Sequence, residues 1–297
     1  MKNVRIIFSL VIVSIWGLVG CNDDDVTPPQ TGILTLDISG LEDLGSNYAY
    51  EGWIIVNGSA ISAGIFNVDA NGNLSQNSFE LDREDLANAS TYVLTIEPSP
   101  DNDPGPSDVH ILAGNFSGKS ASVTIEHSAA IGTDFTNSTG EFILATPTDG
   151  GSDTDELSGV WWLNPANGPG PGLNLPTLPN GWKYEGWAVV NGTPVSTGTF
   201  TSVTGADEFS GFSGTASGAP PFPGEDLLMN APSGLIFPTD LSGGTIVISV
   251  EPSPDNSPAP FLLKPLVRML PSDALDHTLY QMSNNAISTN PSGTVKR

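Results

Sequence analysis

Apolar and polar positions alternate along this chain in short runs, and the runs come in two matched sets. Residues 41–66 read LEDLGSNYAYEGWIIVNGSAISAGIF, and residues 175–200 read LPTLPNGWKYEGWAVVNGTPVSTGTF. Set side by side without a gap, they pair Tyr50 with Tyr184, Trp53 with Trp187, Gly64 with Gly198 and Phe66 with Phe200. Residues 50–56 are almost continuously apolar, as expected of a strand covered on both faces. Asn57-Gly58 then predicts a two-residue hairpin turn, and Asn191-Gly192 repeats it. Farther on, 92–96 (YVLTI) matches 246–250 (IVISV), with alternate side chains on opposite faces. Each of these runs enters the same sequence, EPSPD, at 97–101 and 251–255.

The two copies differ in spacing. Tyr184 follows Tyr50 by 134 residues, whereas Glu251 follows Glu97 by 154. The additional residues fall in 204–239, a stretch rich in Gly, Pro and Ser that carries Phe209, Phe212 and Phe222. A loop of that length in a compact domain has a function or packs over its own module. The polar run 149–157 reads as a linker. Two segments, 81–89 and 271–282, could hold a helical turn; every other element is a strand or a turn. The pattern predicts an all-β protein of two tandem antiparallel β-sandwich modules of immunoglobulin-like type, 32–148 and 158–297, the second with the inserted loop 204–239.

Composition agrees with that reading and narrows the partners. With 33 Gly, 25 Pro and only 14% charged residues in 297, long helices are disfavoured. A net charge of -24 repels phosphate backbones, so nucleic acid is not expected as a partner. Cys21 is the single cysteine, so neither module can contain a disulfide and each must be held by its core.

The residues before Cys21 have the form of a secretory signal. Lys2 and Arg5 precede an apolar run that ends in Leu18-Val19-Gly20-Cys21. This end resembles a bacterial lipobox, which implies that 1–20 is removed and that Cys21 carries fatty acyl chains of the palmitate class. Two such chains suffice for stable anchoring, so the membrane is an expected partner through the lipid. Residues 21–31 then form an acidic tether, and Asn22-Asp23-Asp24-Asp25 resembles the surface-export signal of lipoproteins in the Bacteroidetes. The expected location is the cell envelope, at the outer membrane and exposed on its surface.

A second resemblance concerns the modules. YEGWIIVNGSAISAGIF followed by TIEPSPDNDPGPSDVHILAG is similar to the extracytoplasmic domain of anti-sigma-K factors. Gly192, Pro194, Val195, Ser196, Gly198 and Phe200 carry it in the second copy, and Glu97, Pro98, Pro104 and Pro106 in the first. The resemblance implies a fold module and a place in envelope sensing. It does not imply binding of a sigma factor, because the family's cytoplasmic segment and membrane span have no counterpart here.

Catalytic chemistry finds little support. His110, His127 and His277 lie too far apart for a short metal-ligand motif, and no Ser sits in a G-x-S-x-G elbow. Asp108 with His110, or Asp276 with His277, could be parts of a triad, but such pairs arise readily in an acidic chain. Glu97 and Glu251 are the best matched carboxylates; in their structural role they accept hydrogen bonds from the backbone of the Pro-rich turn that follows. Asp101, Asp103 and Asp255 are candidate cation ligands in tight loops, without EF-hand spacing, and no cofactor is called for. Tyr50, Trp53, Tyr184 and Trp187 read as core. Trp161, Trp162 and Trp182, with Phe212 and Phe222 from the inserted loop, are the candidates for an exposed ligand platform. The expected function is non-catalytic: an envelope lipoprotein that binds a protein or glycan, or serves as a spacer. An extracytoplasmic sensing component is the rival, and a hydrolase comes third.

Overall fold

A computed structural model describes residues 30–151, 154–255 and 257–297. The expected signal segment, Cys21 and the part of the expected tether before residue 30 lie outside the described residues. The first half contains β1 (Thr31–Ser39), β2 (Tyr48–Val56), β3 (Ser59–Phe66), β4 (Ser78–Asp82), helix α1 (Arg83–Asn88), β5 (Ala89–Pro98), β6 (His110–Asn115), β7 (Ser120–Thr124) and β8 (Thr139–Leu144). The second contains β9 (Gly159–Trp161), β10 (Leu163–Asn164), β11 (Gly170–Pro171), β12 (Leu173–Asn174), β13 (Trp182–Val190), β14 (Thr193–Phe200), β15 (Gly224–Asp226), β16 (Thr245–Pro252), β17 (Leu266–Met269), β18 (Tyr280–Gln281), β19 (Ser283–Asn284), helix α2 (Ala286–Thr289) and β20 (Ser292–Lys296). The protein is mostly β, in several antiparallel sheets, as its sequence predicts. Among the described residues no helix is long and apolar enough to cross a membrane.

The repeated hairpins are built alike. β2 pairs with β3 and β5, and β13 pairs with β14 and β16, so both are interior strands. Their turns place Asn57 and Gly58 at φ 51 and 83, and Asn191 and Gly192 at φ 51 and 84. Both residues of each turn are left-handed, the requirement that Asn-Gly meets at low cost. Register shifts by one residue after Gly52 in one hairpin and after Gly186 in the other. At these glycines the backbone is covered by an aromatic ring. A Cβ on Gly52 would lie 2.4 Å from the hydroxyl of Tyr92, and one on Gly186 would lie 2.3 Å from Cη2 of Trp162. The glycine in YEGW is therefore a packing position.

Strand pairing crosses the expected module boundary. The first sheet has eight strands in the order β3-β2-β5-β6-β7-β20-β1-β4. Its sixth member, β20, belongs by sequence to the second stretch, yet it pairs with β1 on one side and β7 on the other. In return β8, at the end of the first stretch, joins β12, β9 and β18. The stretches 32–148 and 158–297 thus exchange strands across the linker. The cause is apolar burial, since Val295 is fully buried and lies in register with Leu36 and Ala121. One hydrophobic core runs through both stretches, from Leu34 and Tyr50 to Trp162, Tyr184 and Phe200. Phe135 meets Tyr184 edge to face at 6.4 Å between ring centres, joining the two directly.

The helical expectations divide. Within 81–89, Asp82 caps α1 by accepting from the N–H groups of Glu84 and Asp85. Within 271–282 no helix forms; Tyr280 instead enters β18 opposite Phe142.

Candidate functional site

β2 and β13 each present two faces. In β13, Tyr184, Gly186 and Ala188 face the main core, whereas Glu185 and Trp187 lie on the opposite face. β16 does the same, with Ile246, Ile248 and Val250 in the core and Ser249 and Glu251 on the other side. Register sets Glu185 opposite Ser249 and Lys183 opposite Glu251, so both carboxylates share one face. In the first repeat Glu51 stands opposite Thr95 and Ala49 opposite Glu97. All four glutamates are buried.

A matched set of hydrogen bonds holds them. Trp53 Nε1 donates to Thr95 Oγ1 at 2.9 Å, and Thr95 donates on to Glu97 Oε1. Trp187 Nε1 donates to Ser249 Oγ at 2.8 Å, and Ser249 donates on to Glu251 Oε1. Ser62 donates to Glu51 and Ser196 donates to Glu185. The backbone N–H ten residues after each second glutamate also donates to it, from Ser107 to Glu97 and from Phe261 to Glu251, each at 2.9 Å. This is the structural role expected of the two Glu-Pro segments.

Beyond this point the repeats diverge. The Ser107 N–H also lies 3.2 Å from Glu97 Oε2, so both oxygens of that carboxylate are engaged. In the second repeat, Glu185 Oε2 and Glu251 Oε2 are buried with no hydrogen-bond partner. Burial raises Glu251 to about 8 against the hydrogen bonds from Ser249 and Phe261, and nearby Glu185 and Asp255 push the same way. Burial likewise raises Glu185 to about 7. One oxygen from each of Glu185, Glu251 and Asp255 lies within 4.8 Å of the others. Asp255 is half-buried, accepts the Ser257 N–H at 2.8 Å and lines a cleft of about 90 Å³ that brings Glu42, Asp43 and Tyr48 of the first stretch against Pro254 and Phe261 of the second.

Of the cation candidates read from the sequence, Asp255 alone joins such a group among the described residues. Asp101 accepts the N–H of Asp103, and Asp103 accepts that of Gly105, which closes two local turns. Glu185 was missed by sequence reasoning. The available signal was a charged residue inside the otherwise buried YEGW strand.

The expected aromatic platform is not at the surface. Trp161, Trp162 and Trp182 are at most 3% exposed, Phe222 is buried, and Phe212 is partly buried against the main core. Carboxylates fold the inserted loop against Trp161. Asp226 accepts from Trp161 Nε1 at 2.7 Å and from the Thr148 N–H at 2.8 Å. Glu225 accepts from the N–H groups of Phe212 and Ser213, and Asp207 from those of Phe209 and Gly224. The loop is a packed cover for the second stretch.

The histidines are spent locally. His110 Nδ1 lies 2.9 Å from the Ala129 carbonyl, and His127 Nδ1 accepts the Ala129 N–H at 3.1 Å. His277 lies 3.1 Å from Asp276 at the surface, and no serine hydroxyl is bonded to it among the described residues. Comparison with protein-family models, curated proteins and solved structures returns no match for this chain.

Proposed function

We propose that this chain is a lipid-anchored envelope protein whose β-rich body works without catalysis, as a structural or displaying unit held at the outer membrane by acylated Cys21. The observation that favours this reading is the burial of Trp161, Trp162, Trp182 and Phe222, the residues a ligand platform would have exposed. Their burial favours a spacer over a sugar-stacking surface. In the same reading, the second stretch is a sandwich of β13, β14, β16 and β17 against β8 and β9. Trp162, the residue directly after β9, covers Gly186 of β13, which supports it.

The test compares the full-length chain with Cys21→Ser in a lipoprotein-processing bacterium. The parent should incorporate a labelled palmitate analogue and sediment with outer membranes, and the variant should do neither. Continued sedimentation of the unlabelled variant overturns the anchoring. Hydrolase activity of the purified chain that disappears in His277→Ala overturns the non-catalytic reading.

A further inference from the structure

We propose that Glu185, Glu251 and Asp255 form a calcium site that the second repeat possesses and the first lacks. Three oxygens lying within 4.8 Å of one another share a point no more than about 2.8 Å from each. Calcium–oxygen bonds of about 2.3–2.6 Å are reached from there by small side-chain shifts. The independent indication is the state of the two glutamates. Glu185 is 5% and Glu251 1% exposed, and each keeps one oxygen buried without a donor. An ionised oxygen left so is costly, and a cation removes that cost.

The first repeat shows what the same architecture looks like when satisfied from within. There the Ser107 N–H reaches both oxygens of Glu97. In the second repeat the equivalent N–H, of Phe261, reaches only Oε1 of Glu251, while the Phe261 ring packs against Trp182 at 5.9 Å. Lys264 feels the charges of Glu42 and Glu251, yet it makes no ion pair within 4.0 Å among the described residues. Neither Glu185 nor Glu251 makes a salt bridge among the described residues.

The donor set selects the ion. Three carboxylates with no nitrogen or sulfur ligand suit a hard divalent cation. Two ligands come from rigid strands and the third from a turn beside an open cleft, which leaves room for the waters that complete an irregular shell. Calcium accepts such a shell, whereas magnesium demands near-octahedral geometry at shorter distances.

The experiment uses the full chain in detergent, stripped with a chelator and titrated with Ca²⁺ by calorimetry, and in parallel with Tb³⁺. Trp187, joined through Ser249 to Glu251, is placed to sensitise terbium emission. One saturable site is expected in the parent and in Glu97→Gln. Asp255→Asn, which keeps the side-chain acceptor for the Ser257 N–H, and Glu251→Gln should each weaken it at least about tenfold. Asp240→Asn, in a separate acidic recess, should leave it unchanged. Equal binding by Asp255→Asn and the parent overturns the site, as does the absence of a saturable signal, which would mean the buried carboxyls are simply neutral. Magnesium binding as tight as calcium overturns the choice of ion.

Discussion

The indole N–H of Trp161 donates to Oδ1 of Asp226 at 2.7 Å, between two residues that are almost wholly buried. The other oxygen of Asp226 takes the N–H and hydroxyl of Thr148, so one carboxylate ties β9, β15 and the segment after β8. Asp226→Ala strands all of these donors in the interior. It should cost about 3 kcal/mol or more, seen as a fall of roughly 10 °C in Tm. Asp226→Asn, which keeps one acceptor, should lose less. Equal Tm values for Asp226→Ala and the parent would show that the tie contributes nothing.

The glycine of YEGW gives a paired prediction. Gly186→Ala drives a methyl group into the ring of Trp162, and Gly52→Ala drives one into Tyr92. Each should destabilise by about 2–3 kcal/mol in urea titration. Gly205→Ala, where a Cβ meets nothing, should stay within about 0.5 kcal/mol. A neutral Gly186→Ala would place Trp162 elsewhere in solution.

The exchanged strand can be tested at Val295. Val295→Asp puts a charge into the middle of the first sheet and should cost more than about 4 kcal/mol. Its diagnostic is hydrogen exchange: protection should fall first in β1 and β7, far away in sequence, because β20 lies between them. Loss confined to the second stretch would contradict the strand order.

Stability should also depend on pH through the inserted loop. Burial raises Asp207 to about 6 and Glu225 to about 7, against hydrogen bonds from backbone N–H groups. These carboxyls hold protons in the folded state that the unfolded chain has released. Their contribution is complete below the ordinary values of 3.8 and 4.5 and is lost as pH rises through about 6 and 7. Asp69, Asp134 and Glu208, held low chiefly by hydrogen bonds, act in the opposite direction but only at and below the ordinary carboxylate range. With chelator present, the urea midpoint should therefore fall from about pH 5 to about pH 8. Glu225→Gln, which keeps the acceptor for Phe212 and Ser213, should flatten that slope; an unchanged slope would remove Glu225 as its source.

Local patterns and tertiary pairing contributed different parts of this protein. The all-β class, the doubled hairpins and their Asn-Gly turns were legible because they depend on neighbours: an alternating or continuous apolar run, and left-handed φ at Asn57 and Gly58. The backbone role of Glu97 and Glu251 was legible for the same reason, since each partner lies ten residues away. The placement of β20 was not, because residues 292–296 match a strand beside either stretch and only packing of Val295 between Leu36 and Ala121 selects one. Nor was the fate of Trp161, Trp162 and Trp182, whose Gly- and Pro-rich surroundings read as surface until the loop at 204–239 closed over part of them. The cluster of Glu185, Glu251 and Asp255 lies between these cases. Its residues stand in the repeated motifs, but which oxygens meet and which remain without a donor depends on antiparallel register and on the turn after Glu251. Those are distances between segments far apart in the chain, and only the folded structure determines them.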